Sequence, residues 1–345
     1  MRTVLQDRLL HRSPEPLLII ICCLNRKRQI PRVIRLQLLL TTSIRRLNGF
    51  PVRLDIPLFL LALLLCLLGL AVQFSAGGED SDQLIRQAVR IVVAVAIMLA
   101  LSTVPIEVLR RFSPPFYLAA VGLVILVLTI GFTGRGAQRW LDLGGFRFQP
   151  SELLKLAIPM MIAYVLTTTF FKNNRNIAFL ISGVLVLVPA FLVYLQPDLG
   201  TALLIIAVGA SAIFFGGLSW RWVGISSFSV LALIPLVWSF LQDYQKTRVL
   251  TLFDPWSDPL GRGYHSIQSM IAIGSGGISG KGWLQGSQSQ LDFLPERNTD
   301  FVFSVFAEEF GFVGGMILIL IYSLLIARCL MIAYRCDYDF ARIVV

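Results

Sequence analysis

Charge is what this sequence has least of. Only 14% of its 345 residues are Asp, Glu, Lys or Arg, against about 25% in an ordinary soluble domain. A chain this poor in charge cannot cover a soluble globule. Histidine is also scarce, with two residues in all, which leaves no His/Cys cluster with metal-ligand spacing. The five cysteines (Cys22, Cys23, Cys66, Cys329 and Cys336) all avoid the segments placed outside the membrane below, so no disulfide framework is implied. No Walker motif is present, and the one Gly-rich stretch neither follows a strand nor ends in Gly-Lys-Ser/Thr, which excludes a nucleotide-binding loop of that kind. What the chain does have is apolar: 56% hydrophobic residues and a mean hydropathy of +0.75. The expected fold class is an all-α, polytopic integral membrane protein.

A spanning helix needs about 20 mostly apolar residues. Eight stretches qualify: about 56–76, 87–105, 116–133, 151–171, 177–195, 199–218, 222–241 and 310–333. Most links between them are short, but residues 242–309 form one long connection that is expected to carry short helices. Residues 1–50 form a basic N-terminal arm, with ten Lys/Arg against Asp7 and Glu15. That arm holds nearly all of the net charge of +10. Without interleaved aromatics it points to an anionic membrane surface, not to nucleic acid. Its apolar run at 17–24 is too short to span and lacks a cleavage site. The arm is read as cytoplasmic or non-structural, and 51–345 as the membrane domain. Lys/Arg in the short flanks divide eleven to five in favour of a cytoplasmic N-terminus, which places the 134–149 link and the 242–309 loop outside.

Four outward-facing segments could carry chemistry. The link GRGAQRWLDLGGFRFQ (134–149) holds Arg135, Arg139 and Arg147 against the charge rule. Guanidinium forks match phosphate oxygens; headgroup contact or an ion pair with Asp142 explains them equally well. Pro150-Ser151-Glu152 is an ordinary helix start, but Lys155 lies on the same face as Glu152. An ionisable pair at membrane depth usually lines a cavity. In the turn Gln196-Pro197-Asp198, Asp198 could cap the next helix, face the cavity, or do both. The long loop carries eight glycines between Gly261 and Gly286. Its interleaved Ile267, Met270, Ile271, Ile273, Trp283 and Leu284 suggest re-entrant or interfacial packing. His265 there gives only a weak basis for a triad. Asp300, just before the apolar run FVFSVF, is open to two readings: a helix cap, or a carboxylate ready to take a proton from a hydroxyl.

Five motifs carry a resemblance. GAQRWLDLG (136–144), RFQPSE (147–152), QPDLGT (196–201), DPLGRGYHSIQSMIAIGSGGISGKGW (258–283) and SQLDFLPERNTDFVFSVFAEEFG (289–311) closely resemble the SEDS family (shape, elongation, division and sporulation). The wording of GYHSIQS and SQLDFLPE is more similar to its elongation branch than to its division branch. The resemblance runs in register from about residue 55 to 335. It implies a membrane glycosyltransferase that polymerises lipid II into glycan strands outside the bacterial cytoplasmic membrane, working with a class B penicillin-binding transpeptidase in the elongation machinery.

Carried over by position, the resemblance makes Asp300 the essential acid of the outer loop. It makes Glu152, Lys155 and Asp198 cavity-lining groups, and Arg139 and Arg147 substrate contacts. The cofactor is left open: a divalent cation such as Mg2+ or Mn2+ is the candidate to assist the leaving pyrophosphate, and no metal-binding residues are assigned. Two departures stand out. The family commonly has His where this chain has Asn298, and it has ten spanning helices where eight are found here. A bundle without the last two helices is expected to polymerise poorly alone. A lipid II flippase and a non-catalytic scaffold for the transpeptidase are the rival readings; clustering of the suspect residues on one side favours the enzyme.

Overall fold

The computed structural model describes residues 45–345 except 48–49, 53, 79, 135–136, 143–146, 242, 262 and 291–298. Asn298 and most of the basic arm lie outside the described residues. The arm's last residues form a short antiparallel hairpin, β1 (Arg45–Leu47) with β2 (Phe50–Val52).

Each of the eight expected stretches falls on a helix. These are α1 (Ile56–Ala76), α2 (Ser81–Ser102), α3 (Ile106–Ile130), α4 (Ser151–Thr167), α6 (Arg175–Tyr194), α7 (Leu199–Phe215), α8 (Trp220–Phe240) and α12 (Val302–Arg335), with a short α5 (Thr169–Asn173) between α4 and α6. Five of them, α1, α2, α3, α6 and α12, meet the length and hydropathy of a membrane crossing among the described residues. At 17 residues each, α4 and α7 sit at the lower edge of the spanning range.

The ends differ from the hydropathy reading where polar residues start a helix. The second helix begins at Ser81, not near 87, because the Asp80 carboxylate accepts the backbone N–H groups of Asp82 and Gln83. Its first turn is polar and invisible to a search for apolar runs. The third begins at Ile106, directly after Pro105, whose fixed φ suits a helix entrance.

Two apolar clusters hold the bundle together. The larger joins α3, α4, α6 and α7 through Tyr117, Leu154, Ile158, Ile162, Val186 and Ile205. The Tyr117 hydroxyl donates to the Leu185 carbonyl at 2.9 Å, so its polar tip is satisfied inside the bundle. Here α6 and α7 approach so closely that a Cβ on Gly209 would overlap the Val186 side chain. Such small-residue contacts are the usual means of helix packing in lipid. The second cluster joins α1 to α12 through Val72, Ala76, Val305 and Phe306. Many large apolar side chains face outward, and α2 has no buried residue, as expected of helices solvated by lipid.

The 132–148 link adds something hydropathy did not indicate. It folds as a three-stranded antiparallel sheet, β3 (Phe132–Gly134), β4 (Ala137–Asp142) and β5 (Arg147–Phe148).

At the end of the bundle opposite this sheet, Asp55 caps α1 by accepting from Leu58 N at 3.0 Å. The same carboxylate receives a two-pronged bond from Arg328 of α12, at 3.0 and 2.7 Å. Burial alone would raise the Asp55 pKa. The Arg328 guanidinium and the Leu58 N–H outweigh it and hold the carboxyl below its ordinary value of 3.8. A depressed folded-state pKa gives stability that is complete above about 3.8 and fades as pH falls through the lower folded value. Asp55→Asn is therefore expected to lower thermal stability at neutral pH, by about 1–3 kcal/mol for the lost charged hydrogen bonds. The gap from wild type should close only in strong acid. Thermal unfolding in detergent across pH checks both parts, and a gap independent of pH would contradict the charge assignment.

Candidate functional site

Because the helices alternate in direction, the C-terminal ends of α1, α3 and α6 share one end of the bundle with the N-terminal ends of α4, α7 and α12. The sheet and the long loop lie at this end, and so does every candidate residue from the sequence.

One group forms around Asp198, the N-cap of α7. Its carboxylate accepts Thr201 N at 3.2 Å and Thr201 Oγ1 at 2.9 Å. Gln149 Nε2 donates to it at 3.4 Å, and Arg139 Nε of β4 stands 3.6 Å away. Arg139 also donates to the carbonyls of Gln196 and Pro197. Asp198 therefore caps a helix and ties the sheet to the 196–198 turn, and its buried carboxylate is well supplied with donors. Arg139 keeps about a quarter of its side chain exposed (28%), with guanidinium edge to spare for a ligand.

Gln149 leads directly into α4, where Glu152 and Lys155 pair at 2.7 Å. Both are accessible, at 54% and 30% of their side chains, so the pair faces open space and not the packed core. Arg147 sits on β5 opposite Asp142 of β4, the register position of the ion-pair alternative.

The second group lies on the long loop, which folds into α9 (Asp243–Phe253), a 3-10 turn (Pro255–Ser257), α10 (Tyr264–Ser275) and α11 (Ser287–Gln290) before reaching α12. The loop packs on the bundle: Ile267 is buried, Trp283 Nε1 donates to the Ala71 carbonyl of α1 at 3.2 Å, and its ring lies beside Phe74. Met270, Ile271 and Ile273 stay exposed, so only part of the interleaved set is interior. Along one face of α10, the His265 ring meets Phe301 and Ser269 Oγ meets Ser304 Oγ at 2.6 Å. Phe301 holds the cap position of α12. Asp300 stands one residue outside the helix, exposed. The capping account of Asp300 fails on this geometry, and its carboxylate faces outward. Among the described residues, no hydrogen bond or ion pair links Asp300 to Arg139, Glu152, Lys155 or Asp198.

Reading the sequence missed Glu308 and Glu309. Both are fully buried. Glu308 pairs with Lys281 at 2.6 Å and accepts Ser287 Oγ at 3.2 Å and Gln288 N at 3.0 Å. Glu309 accepts the Ser75 hydroxyl of α1 and Leu284 N at 3.2 Å. The signal was present: two adjacent carboxylates inside an apolar run are costly in or near lipid unless they have partners. Just beyond them α12 breaks at Gly311, whose backbone (φ 65°, ψ −163°) is non-helical. The Gly-rich loop satisfies the break. Phe312 N and Val313 N donate to the carbonyls of Gly277 and Ile278, while Lys281 N and Gly282 N donate to those of Glu308 and Glu309. Irregular backbone at this depth persists only with such partners.

Comparison with known proteins fits this architecture. Residues 56–345 match the FtsW/RodA/SpoVE family, described as cell cycle protein. The chain is 46% identical over 296 residues to the Escherichia coli K12 peptidoglycan glycosyltransferase MrdB, covering 85% of this chain and 79% of that one. It is 34% identical to the probable peptidoglycan glycosyltransferase FtsW of Idiomarina loihiensis, over 82% of this chain and 71% of that one. Among solved structures, it resembles a chain from a peptidoglycan synthase complex that coordinates polymerization and crosslinking, with TM-score 0.71, 32% identity, and coverage of 86% and 82%. It also resembles the Thermus thermophilus rod shape determining protein RodA, with TM-score 0.58, 28% identity, and coverage of 84% and 78%. With nearly its whole helical part matched in sequence and in fold, the chain is a multi-pass membrane protein of the FtsW/RodA/SpoVE family.

Proposed function

We propose that this protein is a peptidoglycan glycosyltransferase of the RodA type, polymerising lipid II for cell elongation. The observation that carries the reading is the exposed Asp300 carboxylate, free of any capping role, at the same end of the bundle as Arg139, Arg147 and Lys155. A sugar 4-hydroxyl is a weak nucleophile at neutral pH. As its oxygen bonds to the anomeric carbon of a second lipid-linked chain, its proton passes to Asp300. The bond from that carbon to the pyrophosphate oxygen breaks, and undecaprenyl pyrophosphate leaves with inversion at the carbon. Charge develops on the leaving oxygens, where preorganised cations act most strongly. The free edge of Arg139, together with Arg147 and Lys155, meets that charge, and Glu152 orients Lys155 through their ion pair.

Asp198 acts one step back, since its donors already occupy it: it sets Arg139. Among the described residues no three His, Cys, Asp or Glu side chains converge as a metal site. The partner is a class B penicillin-binding transpeptidase, in line with the synthase complex that the fold resembles. Polymerisation of purified lipid II by this protein with such a partner tests the reading; monomer consumed without strands would oppose it.

The site is proposed to face outward across the bacterial inner membrane, with the N-terminus cytoplasmic. Ser279→Cys, exposed on the long loop, should label with an impermeant maleimide on intact spheroplasts. Asn174→Cys, exposed between α5 and α6, should label only after permeabilisation. The reverse pattern at either position would overturn the orientation.

A further inference from the structure

We propose that Lys281, Glu308 and Glu309 form a latch that positions Asp300, acting through the nine-residue half-helix 302–310; the proposal rests on Asp300 being the base. The break at Gly311 means that this half-helix does not inherit its direction from the transmembrane part of α12. Its direction is set by what it touches.

Among the described residues, the charged contacts lie at the end away from Asp300. Glu308 gathers Lys281, Ser287 and the Gln288 amide. Glu309 gathers Ser75 of α1 and the Leu284 amide. Between them, the two carboxylates fasten three separate stretches of chain (the end of α1, residues 281–284 and residues 287–288) to one turn of helix. Nearer Asp300, Val305 and Phe306 pack on Val72 and Ala76, contacts without directional preference, and Ser304 meets Ser269 through their hydroxyls.

A buried ion pair is weak evidence for stability, because desolvation offsets its attraction. What it supplies is geometry: charged hydrogen bonds are short and directional. From Glu308 back to Val302, where the half-helix begins, is six residues, about 9 Å at the helical rise, and Asp300 lies two residues beyond it. A tilt of about 5° over that length moves the carboxylate by about 1 Å, a displacement that can cost about 10²-fold in rate. Lys281 and the two glutamates are thus positioning residues; only Asp300 touches the reacting hydroxyl.

The test uses the full chain with its transpeptidase partner, at matched amounts of folded protein, and lipid II as substrate. Lys281→Met is the principal variant, since Lys281 lies on the loop and is partly exposed; Glu308→Gln and the double variant complete a cycle. Lys281→Met is expected to lower kcat about 10- to 100-fold, with KM for lipid II within about threefold of wild type. The double variant should lose no more than the worse single, as for two residues acting as one unit. Amides at 284, 288 and 302–306 should exchange hydrogen faster in Lys281→Met.

Wild-type kcat in folded Lys281→Met, a rise in KM with kcat retained, losses that multiply, or unchanged exchange would each overturn the latch. Asp300→Asn, run alongside, separates the two proposals. It should be inactive with wild-type exchange at 302–306. If it is active, Asp300 is not the base, and exchange in Lys281→Met still shows whether the latch orders the half-helix.

Discussion

Asp300→Asn is expected to reduce lipid II polymerisation by about 10²- to 10⁴-fold, the contribution general-base catalysis makes to such a step. The swap is nearly isosteric and removes only the ability to take a proton. Asp300 is exposed and outside the α12 cap, so among the described residues no packing or capping contact is lost with its charge. The variant should insert, unfold at the wild-type temperature and bind lipid II with unchanged affinity. The loss should therefore appear in kcat and not in KM. Measuring strand formation from fluorescent lipid II, with binding measured in parallel, separates these quantities. Strand synthesis at near wild-type rate by the Asn variant would remove Asp300 from the mechanism. Weakened binding with normal turnover would recast it as a substrate contact.

The second large effect is expected at the docking of the Gly-rich loop on the broken helix. A Cβ on Gly311 would strike the backbone N of Gly280, and one on Gly280 would strike the Glu309 carbonyl. These collisions involve backbone on both sides, so no flexible side chain can yield. At Gly311 the φ/ψ pair also lies in a region essentially reserved for glycine, costing other residues about 1–3 kcal/mol. Gly311→Ala is expected to separate the loop from α12, free the amides of Gly282, Phe312 and Val313 for exchange, and bring polymerisation to background.

Gly274→Ala provides the control. It lies in α10 of the same loop with open space around its Cβ position, and alanine there favours the helix. It should keep wild-type activity. A Gly311→Ala protein as active and as protected as wild type would show that the break does not require the loop.

Hydropathy by itself determined the class of this protein and the place of all eight long helices, because lipid exposure demands about 20 apolar residues whatever the neighbours are. The residues alone left Asp300 and Asp198 open between capping and chemistry, and the family resemblance of the motifs around them marked Asp300, Arg139, Arg147, Glu152, Lys155 and Asp198. The tertiary structure decided what each is free to do. Asp198 and Asp300 look alike in sequence, each a carboxylate before a helix. In the fold, Asp198 takes donors from Thr201, Gln149 and Arg139, while Asp300 stands clear of its cap.

The Glu308–Lys281 pair joins residues 27 positions apart, and Glu309–Ser75 joins residues 234 apart. No periodicity or local spacing encodes such partners; they exist because α1 and the loop pack on the same turn of α12. The helix break at Gly311 was hidden for a related reason. A lone glycine in an apolar run usually continues the helix at modest cost, and only a second glycine-rich segment, docked backbone to backbone, makes the break the better arrangement.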